Sequence, residues 1–133
     1  MWFNALKEVA TLFYYCDHSV GNIISDLDDF IEHEDKSFIY AAIEEFINNI
    51  LHDDCQTAII EVSKQYEEGA IKYGERNWEK GIPMHSYIDS GVRHLLKHTR
   101  GDIDEPHDRA FIWNMLGLLW TLDNRPDLND LKK

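Results

Sequence analysis

At 133 residues the chain suits a single domain, long enough to bury a real core without disulfides or a structural metal. A hydrophobic content of 44% with four tryptophans argues against disorder. A formal net charge of −12 argues against binding a nucleic-acid polymer or an anionic membrane, because both would repel it.

The charge is unevenly placed. Residues 1–60 hold 12 acids against only Lys7 and Lys36, whereas residues 61–133 hold 13 acids and the other 11 bases. Bases set among acids on an acidic protein suggest a local anion site rather than a long polyanion track. Cys16 and Cys55 have no C-x-x-C spacing, so neither a zinc site nor a disulfide framework is expected, and a reducing cytoplasm is the default. The apolar start MWFNALKEVATLFYY carries Lys7 and Glu8, lacks a basic beginning and a small-residue cleavage site, and does not read as a signal peptide. No run approaches the length of a membrane span.

The periodicity is helical nearly throughout, and the chain reads as one all-α domain, a bundle of five to six helices. Trp2, Phe3, Leu6, Val9, Ala10 and Phe13 give the first amphipathic helix. Val20, Ile23, Ile24, Leu27, Phe30 and Ile31 give the second. Ile39, Ala42, Ile43, Phe46, Ile47 and Ile50 give the third, opened by Asp35 or Ser37 as N-cap. The fourth runs from about Asp54 to Tyr73, with Ile59, Val62, Tyr66, Ala70 and Tyr73 on its apolar face and Gly74 as C-cap. Residues 75–85 read as a loop, Ser86–Thr99 as a fifth helix stopping at Gly101, and a sixth helix starts near Pro106 and reaches about Thr121. The tail after Asn124 is polar, and Pro126 resists further helix.

Polar residues then group in a way that packing alone does not require. Glu61, Gln65, Glu68 and Lys72 share one stripe of the fourth helix; this is either an ordinary solvated face or a place where carboxylates hold a hard cation and a lysine meets phosphate. On the fifth helix Asp89 and Arg93 stand at i, i+4, the spacing of a surface ion pair, while Arg93 and Arg100 on one edge could instead clamp phosphate oxygens. Tyr87, His94 and His98 lie on another flank.

Asp102, Asp104, Glu105, His107, Asp108 and Arg109 crowd the start of the sixth helix. The helix dipole accounts for one or two acids there, and four together would repel one another unless a cation relieved them. Glu105 and Asp108 make an E-x-x-D pair. His107, Ala110, Asn114 and Thr121 share a stripe of an otherwise apolar helix, so Asn114 either bonds a neighbouring helix or reads a ligand. Trp78, after Asn77, either stacks on a base or plugs the space under the loop. The acidic run Asp26, Asp28, Asp29, Glu32, Glu34, Asp35 reads as a solvated face.

The segments EVSKQYEEGAIKYGERNWEKGIP, YIDSGVRH and RGDIDEPHDRAFIWN together resemble the dATP/dGTP diphosphohydrolase N-terminal domain family, common in phages and prophage-bearing bacteria and related to MazG-like all-α nucleotide pyrophosphatases. The resemblance covers about residues 55–122, leaving residues 1–54 as N-terminal helices of unassigned role. It implies hydrolysis of purine deoxynucleoside triphosphates with Mg²⁺ or Mn²⁺, and a homo-oligomer. The chain departs from the MazG-like E-E-x-x-E signature, because Ile71 stands where the third Glu would be.

On this resemblance Glu61, Glu68, Asp104, Glu105 and Asp108 are the candidate metal ligands. Glu61, Glu68, Lys72 and His94 are the candidate catalytic groups. Asn77, Trp78, Arg93, Arg100, His107, Arg109 and Asn114 are the candidate contacts to a nucleoside triphosphate. The other readings open at this point are a nucleotide-binding module without turnover and a phage-encoded acidic interaction protein.

Overall fold

The computed structural model describes residues 5–74 and 76–132, without the side chains of Tyr73 and Asn77. Six helices follow in order: α1 (Leu6–Cys16), α2 (His18–His33), α3 (Lys36–Glu45), α4 (Cys55–Tyr73), α5 (Met84–Arg100) and α6 (His107–Asn124), with no strand among the described residues. Trp2 and Phe3, expected on the first helix, lie outside the described residues.

Local chemistry sets most of the boundaries. Asp17 alone joins α1 to α2 and caps α2 by accepting from the Val20 amide at 3.3 Å. Of the two candidates for the third helix it is Asp35 that caps, accepting from the Ser37 amide at 2.9 Å. Asp54 caps α4 through the Thr57 amide at 2.6 Å, and Gly74 ends that helix at a φ of 96°, a conformation that suits glycine. Gly101 ends α5 in the same left-handed region.

Four local expectations are corrected. The third helix does not keep its 3.6-residue register: it passes into a π-helical segment, Phe46–Leu51. The wider turn directs both adjacent side chains Phe46 and Ile47 inward, and Phe46 meets Phe111 of α6 at a ring-centroid distance of 4.4 Å. The loop before the fifth helix contains a 3₁₀ turn, Asn77–Lys80, and α5 begins at Met84, directly after Pro83, with Met84 fully buried. Ile59, expected on the apolar face of α4, is left exposed, since α4 meets the body along Ala58, Val62 and Tyr66. The polar tail also packs: Pro126–Leu128 forms a 3₁₀ turn, Leu131 is buried, and Asp130 accepts from the His85 amide at 3.0 Å.

The core is shared by α2, α3, the π segment, α5 and α6, with Ile23, Ile24, Leu27, Phe30, Ile88, Leu95, Phe111 and Leu118 fully buried. The α5–α6 pair packs closely. Gly117 leaves the space that the Tyr87 ring occupies, and Gly91 faces Met115 in the same way, so the two helices approach over glycine. This pairing fixes α6 as the central helix. By contrast, among its described side chains α4 buries only Ala58 and Val62, and it rests mainly against α6. The bundle therefore carries α4 on the outside of its central helix, α6.

Candidate functional site

The α4–α6 seam opens into a cleft of about 520 Å³. Its walls are Gln65, Tyr66, Glu68, Gly69 and Lys72 from α4, Trp113 from α6, and Ile82 and Glu105 from the flanking loops. At helical spacing Gln65, Glu68 and Lys72 stand on successive turns, which is why one face of α4 delivers all three. Across the seam Arg109 Nη2 donates to both carboxylate oxygens of Glu68, at 2.7 and 2.6 Å. The Arg109 side chain is only 11% exposed, whereas Glu68 reaches into solvent at 63%.

One wall of this cleft is aromatic. Trp113 lies 6.1 Å from Tyr66 between ring centroids, and Trp78 packs edge-on to Trp120 at 5.0 Å and to Tyr66 at 6.0 Å. Trp78 is thus a plug behind the aromatic wall.

The donor set of the cleft fits a hard divalent ion. Glu68 and Glu105 supply carboxylates, and the Gln65 Oε1 atom is buried with no hydrogen-bond partner. Oxygen-only ligands of this kind suit Mg²⁺ or Mn²⁺, which also keep room for phosphate. Glu68 would have to share its oxygens between such an ion and Arg109. Ile71, at the place of the third signature carboxylate, stands 88% exposed and outside the cleft.

A second, shallower cleft of about 500 Å³ opens at the start of α6, walled by His98, Asp102, Ile103, Asp104, Glu105, Pro106, His107 and Asp108. Glu105 borders both clefts. His107 is buried; its Nε2 lies 2.7 Å from Asp104 Oδ1 and its Nδ1 lies 2.8 Å from His94 Nδ1 on α5. Glu105 Oε1 stands 3.7 Å from the same His94 nitrogen. Burial pushes the His94 imidazole below its ordinary pKa, with Glu105 opposing and His107 adding to the shift. The hydrogen bond from His107 holds the Asp104 carboxyl below the usual range.

The other candidates from the sequence are placed elsewhere. Glu61 pairs with Lys64 at 2.8 Å and is not a wall of either cleft. Arg93 lies exposed near Ser90, and Arg100 pairs with Asp102, which holds the Asp102 carboxyl low. Asn114 is buried and donates back to the Ala110 carbonyl of its own helix at 2.8 Å. The side chain of Asn77 lies outside the described residues. Tyr66, Trp113 and Ile82 were not singled out by sequence reasoning. Trp113 had one usable signal: it stands four residues after Arg109, so both face the same neighbour.

Fold and seam together define an all-α domain with one cleft in which carboxylates, cations and aromatic rings meet. The family model described as dATP/dGTP diphosphohydrolase, N-terminal, matches residues 41–131, and the chain belongs to that family. The match begins within α3 and continues into the tail, so it is wider than the 55–122 stretch that carries the resemblance. No curated protein and no solved structure matches the chain. No helix among the described residues is long and apolar enough to cross a membrane.

Proposed function

We propose that this domain hydrolyses purine deoxynucleoside triphosphates, the substrates in the family's name, by trimming the phosphate chain with the help of Mg²⁺ or Mn²⁺. The observation that carries the reading is the α4–α6 cleft, where Glu68, Glu105, Gln65 and Lys72 face an aromatic wall of Tyr66 and Trp113.

In this reading Glu68, Glu105 and the Gln65 carbonyl oxygen hold the divalent ion. When bound, the ion polarises phosphoryl oxygens and lowers the pKa of attacking water. Lys72 and Arg109 neutralise charge on the phosphate chain, a role that costs no reorganisation if they are already in place. Arg109 also keeps Glu68 oriented until substrate arrives. Tyr66 and Trp113 offer flat apolar faces to the nucleoside, and such faces accept a base by stacking. The exposed Ile60 and Ile71, three turns apart on one stripe of α4, support association with a second copy beside the cleft.

A second reading, a nucleotide-binding module without turnover, is favoured by one specific contact: both oxygens of Glu68 are engaged by Arg109. The deciding experiment measures phosphate and pyrophosphate release from a panel of dNTPs and NTPs, with Mg²⁺, with Mn²⁺ and with chelator. Metal-dependent release confined to dATP and dGTP is expected. Nucleotide-induced stabilisation without release from any nucleotide, in folded protein, would establish the binding module instead.

A further inference from the structure

Beside the second cleft a pair of histidines makes an arrangement that the proposed hydrolysis does not use. His94 comes from α5 and His107 from the first turn of α6, and their Nδ1 atoms face each other at 2.8 Å. The His107 side chain is 1% exposed and that of His94 is 12% exposed, so the two nitrogens meet in a nearly dry place. The carboxylate of Asp104 engages the far nitrogen of His107, which puts the proton on Nε2 and leaves the Nδ1 lone pair pointing at His94. A carboxylate behind the far nitrogen of an imidazole is how proteins fix that ring to a metal. The third group is Glu105: its Oε1 stands 3.7 Å from His94 Nδ1, and one ligand atom from each of the three residues lies within 4.8 Å of the others.

We propose that His94 and His107, with Glu105 as a ligand shared with the adjoining hard-ion site of the α4–α6 cleft, form a binding site for a borderline transition ion, Zn²⁺ or Co²⁺. Two nitrogens bound tetrahedrally to one such ion at about 2.0–2.1 Å stand about 3.3 Å apart, so the pair, now at 2.8 Å, needs to open by about half an ångström. Imidazole nitrogen selects these ions over Mg²⁺, which takes oxygen. The Glu105 side chain, half exposed, has the freedom to complete the set, and three protein ligands leave a position open towards the solvent side of the second cleft. Asp104 is a positioning residue rather than a ligand.

The test uses the whole chain in saturating Mg²⁺ and reads metal binding rather than hydrolysis, so it stands whether or not turnover is found. Co²⁺ is titrated with its visible absorption as the readout, and Zn²⁺ by calorimetry. Stoichiometric binding is expected, weakened about 100-fold or more by His94→Gln and about 10–100-fold by Asp104→Asn, with Glu68→Gln leaving it unchanged. Because Asp104 is exposed, Asp104→Asn keeps the fold and carries the test even if His94→Gln proves unstable. Absence of Co²⁺ and Zn²⁺ binding by the folded chain, or binding that neither variant weakens, overturns the proposal.

Discussion

Arg109 of α6 holds Glu68 of α4 through a single terminal nitrogen that reaches both carboxylate oxygens, at 2.7 and 2.6 Å. This ion pair bridges the α4–α6 seam, where among the described side chains α4 buries only Ala58 and Val62. Arg109→Ala should therefore cost about 1–2 kcal/mol, the lower part of the range for a charged hydrogen bond because Glu68 faces solvent. Glu68→Gln should cost less, because its amide oxygen still accepts from Nη2. Urea denaturation of the two variants and their double mutant measures the coupling; an unchanged midpoint for Arg109→Ala would mean that apolar contacts alone dock α4.

The same pair makes a catalytic prediction of opposite order. Glu68→Gln and Glu105→Gln each remove a carboxylate from the proposed ion site and should lower kcat by about 100-fold or more. Added Mn²⁺, which binds such sites more tightly than Mg²⁺, should restore part of the loss. Stability and activity thus separate: Arg109→Ala is the more damaging to folding, Glu105→Gln to turnover. Full activity in Glu105→Gln would remove this residue from the site and leave the α4 stripe to act without it.

Much of this arrangement is legible in the order of the amino acids. Asp35, Asp54, Gly74 and Gly101 act locally, so caps and stops announce the start of α3, both ends of α4 and the end of α5. The stripe Gln65, Glu68, Lys72 is likewise local, being a matter of helical spacing. What the chain hides depends on contacts distant in sequence. Phe46 of the π segment meets Phe111 of α6, and Leu131 of the tail finds a buried place. Trp113 looks like one more core residue of an apolar helix until α4 is laid beside it. His94 and His107 come together only when α5 folds back on α6 over Gly91 and Gly117.

That fold-back gives a third prediction. A β-carbon at Gly117 would stand 2.2 Å from Tyr87 Cε1 and 2.6 Å from Cζ, and the ring has nowhere to go because Tyr87 is 1% exposed. Gly117→Ala should therefore destabilise by about 1–3 kcal/mol despite the better helix propensity of alanine. The thermal midpoint should fall by several degrees, and the pair Gly117→Ala with Tyr87→Leu should recover part of the loss. A midpoint that rises in the single variant would show that α5 and α6 separate more easily than this packing allows.

The last prediction concerns pH. The Asp26 carboxyl is pushed up to about 6, by burial first and then by the charges of Asp29 and Glu45. A carboxyl whose folded pKa exceeds its unfolded value takes up a proton more readily in the native state, so between about 4 and 6 the folded chain binds more protons. The sign follows: this residue costs stability above pH 6, and the cost disappears as the pH falls towards 4. Asp35, Asp54 and Asp104 run the other way, held low by the hydrogen bonds they accept, and lose their contribution on acidification. Asp26→Asn should accordingly stabilise the protein at pH 7 by about 1 kcal/mol, after allowance for solvent screening at a half-buried site, and by almost nothing near pH 4. Denaturation curves at the two pH values decide it: an equal effect at both would mean that the Asp26 carboxyl titrates alike in the folded and unfolded chain, its charge fully solvated.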